Sequence, residues 1–237
     1  MNVMKRYILG LAIFALSAAN TTAQEKSLPV EAIIEKHIAA RGGMANIKQL
    51  QSIRLSGLHI FRGQEFPLTI LRRRPNMFRL ETSSGYGPEM YLFDGETAHA
   101  IDAKSSEKKA IRDPRIRHFV EMMADFDGAL VDYKSKGHQI ALAGTESIEG
   151  QPAYVLDVAL QNGPKEQWFL DAQSFLPVKR SSTFMDEDGQ QTQSLYFMDY
   201  APVEGYMIPH YFERNAGHYV YGYEIERVEI NPGDTNQ

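Results

Sequence analysis

The chain has 237 residues, 43% of them hydrophobic, with a formal net charge of -5 and no cysteine. An acidic balance argues against nucleic acid as a partner, since that polyanion is held by Lys and Arg meeting phosphates. Without cysteine there is no disulfide, no thiol nucleophile and no lipid-accepting cysteine behind a leader, so the core must come from burial alone, in a length that suits one β-rich domain.

Lys5 and Arg6 precede a mostly apolar run from Tyr7 to Ala19, and Thr21-Thr22-Ala23 places small residues ahead of Gln24. That order predicts a cleaved export signal over 1–23 and a mature domain over 24–237. The run is shorter than the about 20 residues of a membrane helix, so the exported domain is expected in free solution.

Pro29 opens a predicted helix with Ile33, Ile34, His37 and Ile38 at helical spacing, stopped by Gly42-Gly43. Ile53, Leu55, Leu58 and Ile60 then alternate as a strand with a phase slip at Gly57, and Phe66, Leu68 and Ile70 repeat the pattern. Arg72-Arg73-Arg74-Pro75-Asn76 reads as a basic, solvated turn that is also able to meet an anionic head group or an acidic partner. Phe78 and Leu80 lie on one side of the next strand. Asp94-Gly95 fits a two-residue hairpin turn, and Asn162-Gly163 and Asp188-Gly189 repeat that chemistry, which builds an antiparallel meander.

A helical segment interrupts the meander. Asp113 is a cap, Pro114 suits the first helical position, and Ile116, Phe119, Val120 and Met123 fall at three- and four-residue intervals. A short turn with Leu130, Val131 and Tyr133 follows Asp127-Gly128. Gly144 to Arg180 reads as three strands, with Tyr154, Leu156 and Val158 on one face and Trp168 and Leu170 in the same alternation. The last strand carries Tyr219, Tyr221, Tyr223 and Ile225 on one face, then slips near Glu226 so that Val228 and Ile230 follow. The tail 231–237 is expected to fray. The whole is mainly β with a few helices, an antiparallel sheet of roughly eleven strands.

Chemistry is sparse. The histidines are scattered, without H-x-H, H-E-x-x-H or a carboxylate at ligand spacing, so neither metal nor cofactor is expected. Gly144-Thr145-Glu146-Ser147-Ile148-Glu149-Gly150 misses the G-x-S-x-G elbow and its strand-turn-helix setting. Asp125-Phe126-Asp127-Gly128 shares only its aspartates with a calcium loop, and Gly85-Tyr86-Gly87 lacks the strand-to-helix context of a phosphate loop. Ser147, His118 and His210 are the nearest candidates for a hydrolase, and no enzyme is expected. A single sheet with one apolar face and few helices must either curl onto itself or leave a cavity, and methionines such as Met122 and Met123 suit a wall that adapts.

Several of these residues carry a family likeness. Gly144-x-Glu146-x-x-x-Gly150-x-x-x-Tyr154-x-Leu156-x-Val158, Trp168-Phe169-Leu170-Asp171, Leu176-Pro177-Val178-Lys179-Arg180, Arg74-Pro75-Asn76-Met77-Phe78-Arg79-Leu80-Glu81, Phe93-Asp94-Gly95 and Asp199-Tyr200 follow in order. Together they resemble the LolA/LolB-like superfamily, especially the outer-membrane lipoprotein-sorting proteins, across nearly the whole mature chain. The resemblance implies a strongly curved, half-open antiparallel barrel with helices covering its concave side, and acyl chains of a lipid or lipoprotein held between them. It also implies a soluble, monomeric periplasmic carrier between an inner-membrane donor and an outer-membrane acceptor. An envelope-stress sensor or adaptor on the same fold is the alternative, and such sensors are expected to bring a second domain, for which little chain remains after Pro232. The expected lining is Leu55, Leu68, Leu80, Tyr91, Phe119, Met123, Leu156, Val158, Trp168 and Tyr221, with Arg72, Arg73 and Arg74 as the anionic contact.

Overall fold

Pro29, at φ -58°, presets the first turn of α1 (Val30–Ala40). Its apolar stripe buries Ile33, Ile34 and His37. Gly42 and Gly43 stop it at φ 115° and 87°, and the Gly43 amide donates to the Ile38 carbonyl at 2.9 Å. A side chain at Gly42 would also run into the Gly205 carbonyl, so this stop is fixed by packing as well as by φ. The computed structural model that shows this describes residues 28–84 and 87–233. The expected signal over 1–23, the Gly85-Tyr86 pair and the tail from 234 lie outside the described residues.

After the short α2 (Met44–Gln49), β1 (Ser52–Phe61), β2 (Gln64–Arg73), β3 (Met77–Ser84), β4 (Gly87–Phe93), β5 (Ala98–Ile101) and β6 (Lys108–Ala110) run outward as a meander. Then α3 (Pro114–Ala124) and a string of turns cross to the far edge. The chain returns inward through β7 (Gln139–Ile148), β8 (Gln151–Ala159), β9 (Lys165–Asp171), β10 (Pro177–Asp186), β11 (Gly189–Val203), β12 (Tyr206–Ala216) and β13 (Tyr219–Ile230). All thirteen form one antiparallel sheet in the order β6-β5-β4-β3-β2-β1-β13-β12-β11-β10-β9-β8-β7. The sheet curves without closing, a half-open barrel, and α3 reaches β3, β4 and β5 on one arm and β10 on the other. The helical cover therefore bridges the two arms over the concave side.

Both expected phase slips are one bulge. Ser56 pairs with Arg227 and Gly57 with Ile225, which leaves Glu226 as the extra residue. Gly57 is required there because any side chain would meet the Glu224 carbonyl. α3 starts as its sequence predicts: Asp113 accepts the Arg115 amide at 2.8 Å and Pro114 takes the first helical position.

Elsewhere the structure differs from expectation for local reasons. Among the described residues there are thirteen strands rather than about eleven. The exposed Lys108-Lys109-Ala110 has no apolar alternation, yet it pairs with β5 and places lysines on an open edge, where they discourage pairing with another chain. Gly144 is not a strand start: β7 runs through it, and the register shift between Leu142 and Gly144 marks a bulge. The Asp94-Gly95 connection takes four residues, because the Asp94 carboxylate caps its own loop by accepting the Glu96 and Thr97 amides at 3.0 and 2.9 Å. Fraying does not begin at Asn231, whose side-chain oxygen accepts the Gln51 and Ser52 amides at 2.7 and 3.1 Å.

Two apolar clusters share the concave side. One packs Leu55, Leu68, Ile70, Phe78, Leu80, Phe212 and Tyr223 against Phe119, Val120 and Met123 of α3. The other packs Leu156, Val158, Trp168 and Leu170 against Ile33 and Ile34 of α1 and against Ala129 and Leu130.

Candidate functional site

A helix leaves its last carbonyls without intrahelical partners and carries negative charge at that end. The last turn of α3 holds no basic residue of its own. Four arginines from elsewhere in the chain gather at this end, one on a carbonyl of the last turn and three on residues 125–127 just beyond it. Arg180 of β10 donates to the Met122 carbonyl at 3.1 Å, and Arg72 of β2 to those of Asp125 and Phe126 at 2.6 and 3.1 Å. Arg41, just beyond α1, donates to the Asp127 carbonyl at 2.7 Å. Arg74 grips both oxygens of the Asp127 carboxylate at 2.6 and 2.7 Å, and gives further hydrogen bonds to the Leu50 and Ile47 carbonyls at 2.7 and 2.6 Å. The cover is thus fastened at one end by charge-assisted bonds.

These contacts set the titration behaviour. Burial pushes the Arg72 guanidinium down to about 10. Burial would raise Asp127, but the Arg74 hydrogen bonds and charge outweigh it and hold the carboxyl below its usual range.

Beneath the cover are two cavities. The first, of about 210 Å³, is walled by Leu80, Tyr91, Phe119, Tyr221 and Tyr223 and also contains His59, Glu89 and Arg214. Its floor follows from register: Phe61, Tyr221 and Arg214 are cross-strand neighbours on β1, β13 and β12, and His59, Tyr223 and Phe212 form the adjacent row. Phe61 stacks on Tyr221 at 4.9 Å, while Tyr223 stacks on His59 at 5.2 Å and on Phe212 at 4.5 Å. Burial pushes the Tyr223 hydroxyl up to about 12 and lowers His59.

The second cavity, about 160 Å³, lies under the fastened end of α3, between Leu55, Met122, Met123, Phe126, Trp168 and Phe212. Its polar edge is a buried cluster. Arg180 gives two hydrogen bonds to Glu166, at 3.0 and 2.6 Å, and the Trp168 indole N–H donates to the same carboxylate at 2.8 Å. His37 of α1 sits edge-on to the Trp168 ring at 6.3 Å and donates from Nδ1 to the Phe175 carbonyl at 3.0 Å; burial lowers it to about 3, so it is neutral.

The structure brings Leu80, Tyr91, Phe119 and Tyr221 together around the first cavity, and Leu55, Met123 and Trp168 around the second. Leu68 sits in the shared core beside them. Leu156 and Val158 are packed under α1 and line neither cavity. Arg72 and Arg74 are not a solvated turn; their guanidinium groups point into the cover, whereas strand alternation sends Arg73 to the other face. Ser147, His118 and His210 stay apart, on β7, α3 and β12, and His118 lies stacked on Phe184 at 4.9 Å. Among the described residues no group of three His, Asp or Glu is placed to hold a metal ion, and no helix is long and apolar enough to cross a membrane.

Sequence reasoning missed Glu166, Arg180 and Arg214. The available signal was alternation: each shares a strand face with an apolar neighbour, Glu166 with Trp168 and Arg214 with Phe212, which puts a charge on an otherwise apolar wall.

No family model and no curated protein matches the chain. Solved structures do. A LolA superfamily protein from Nitrosomonas europaea superposes with a TM-score of 0.57 at 12% identity, over 87% of this chain and 95% of that one. The fold is that of the LolA superfamily. A Vibrio parahaemolyticus domain described as an outer membrane lipoprotein-sorting protein gives a TM-score of 0.56 at 14% identity, over 85% of this chain and 92% of that one. Identities this low speak for the LolA-type fold alone.

Proposed function

We propose that this protein is a soluble, monomeric periplasmic carrier that takes acyl chains of lipids or lipoproteins under its helical cover and moves them toward the outer membrane. The observation that supports this reading is the cover itself. It closes an apolar concave face with two unfilled spaces, and one end is fastened by hydrogen bonds to carbonyls rather than by apolar packing alone. Each methylene removed from water is worth about 0.8 kcal/mol, so an acyl chain in transit needs such a surface.

Sites for whole small ligands usually measure roughly 300–1,000 Å³. We read these two spaces, about 210 and 160 Å³, as a closed form in which an entering chain displaces the cover. That displacement is feasible energetically. Each hydrogen bond given up to water costs a net of about 1 kcal/mol, and the apolar face uncovered by α3 is covered again by lipid. Met122 and Met123 adapt their shape to what enters. With no nucleotide involved, direction comes from differences in affinity among an inner-membrane donor, the carrier and an outer-membrane acceptor.

The test is native mass spectrometry of protein purified without detergent from the periplasmic fraction. Bound lipid with acyl chains is expected. A preparation that stays empty and takes up no lipid from vesicles would refute carriage.

A further inference from the structure

Arginine is rarely buried without a partner, because the desolvated charge must be compensated. Arg214 is only 8% exposed, yet among the described residues it makes no ion pair, and its Nε has no hydrogen-bond partner. Its guanidinium is instead held between two ring faces, 4.4 Å from Phe119 of the cover and 4.1 Å from Tyr221 of the floor. Such cation–π contacts fix the plane of the group but leave its in-plane N–H donors free for an acceptor. Glu89 also lines this cavity, but its carboxylate accepts the Tyr91 hydroxyl at 3.2 Å and does not pair with Arg214.

A second group in the same cavity is also unsatisfied. His59 is 3% exposed and its Nε2 has no partner. Because its Nδ1 meets the Ser83 carbonyl at 3.2 Å, that nitrogen carries the hydrogen and Nε2 offers a lone pair. The cavity therefore joins a fixed cation, a hydrogen-bond acceptor and a floor of stacked rings. Its rim is formed by the exposed Arg62 and Tyr219.

We propose that this cavity binds the anionic head of a single-chain amphiphile, a carboxylate or a phosphate monoester, on Arg214, with the apolar chain laid against the rings of β1 and β13. The proposal rests on the carrier reading and narrows its cargo. A carboxylate or phosphate supplies two in-plane oxygens to the guanidinium fork, and a hydroxyl on a phosphate or next to the head would satisfy His59 Nε2.

The experiment compares three ligands that share one oleyl or oleoyl chain: oleic acid, oleoyl lysophosphatidic acid and oleyl alcohol. Each displaces the uncharged dye N-phenyl-1-naphthylamine from the full-length mature protein. At least one of the two anions is expected to displace the dye at about ten-fold lower concentration than the alcohol, the effect of a charged hydrogen-bonding pair. Which anion does so identifies the head. Arg214→Gln is expected to erase the preference while leaving the alcohol unchanged, and Arg214→Lys to retain part of it. If the alcohol matches both anions on the unaltered protein, the assignment of the head is overturned while carriage stands. If dye binds and no ligand displaces it, or no dye binds, carriage at this cavity falls too. The comparison on the unaltered protein does not depend on whether a variant folds.

Discussion

Arg180 and Arg214 lie on the same concave face, equally hidden, and live in opposite circumstances. Arg180 is paired: Glu166 takes two of its hydrogen bonds, the Met122 carbonyl a third, and the Trp168 ring covers its face at 5.0 Å. Arg214 has the ring faces and, among the described residues, no paired acid. Two strands of the same arm, β10 and β12, thus treat a buried charge differently: Arg180 spends its donors on holding the cover in place, while Arg214 leaves its donors facing the first cavity. Burial by itself does not distinguish a structural arginine from one available to a ligand; the state of its donors does.

Removing the acid from the first arginine should break that contrast most severely. Glu166→Gln leaves Arg180 buried and unpaired and is expected to cost about 3–5 kcal/mol in urea unfolding. Arg74→Ala comes next, because it strands the Asp127 carboxylate and frees the Ile47 and Leu50 carbonyls; a loss of roughly 2–3 kcal/mol is expected. Amide exchange over 122–128 should rise more in this variant than exchange in β1 or β13, and equal changes would mean that Arg74 stabilises the whole sheet rather than the cover.

Acid gives a smaller, graded effect. Burial, helped by the Arg180 charge, lowers His118 from its usual 6.5 to about 4. Between these values the unfolded chain binds the proton and the folded one refuses it, so stability is full above 6.5, falls as pH drops toward 4, and is flat below that for this group. His118→Phe keeps the stack on Phe184 and should remove roughly 1–2 kcal/mol of that fall, visible as a shallower dependence of melting temperature on pH. The smallest effect is expected at the second arginine. Arg214→Met should change stability by no more than about 1 kcal/mol in either direction, since it relieves an uncompensated charge while retaining bulk. A loss as large as that of Glu166→Gln would show that Arg214 has a structural partner after all.

Much of the frame was readable from residues. The phase slips at Gly57 and Glu226 were legible because a bulge leaves its mark on both strands, and α3 was legible because Asp113-Pro114 is local capping chemistry. β6 was not, since Lys108-Lys109-Ala110 pairs through its backbone and buries no side chain. Gly144 looked like the start of a strand because a glycine at φ 146° serves a bulge as well as a turn. The ring lining was half legible: Tyr219, Tyr221 and Tyr223 announce themselves by alternation, whereas the rows that set Phe61 and Arg214 beside Tyr221 depend on pairing among three strands. The inward turn of Arg72 and Arg74 was hidden for a similar reason, as their acceptors lie on the crossing segment 125–127, far along the chain.

The strand order has a consequence for how the chain reaches this state. The outer strands are internal in sequence, and the first and last strands meet in the middle of the sheet, where Ile53 pairs with Ile230. Each half is a meander of neighbouring hairpins with contacts of short range, but the seam between the halves has nearly the largest sequence separation the described chain allows. High contact order slows folding, so hairpins should form early and the seam late. Until β13 arrives, β1 presents bare backbone donors and acceptors beside an apolar face, the kind of edge that captures other strands. A chain delivered from its N-terminus therefore passes through a stage in which its central strand is its most vulnerable edge, and it is the last strand made that seals it.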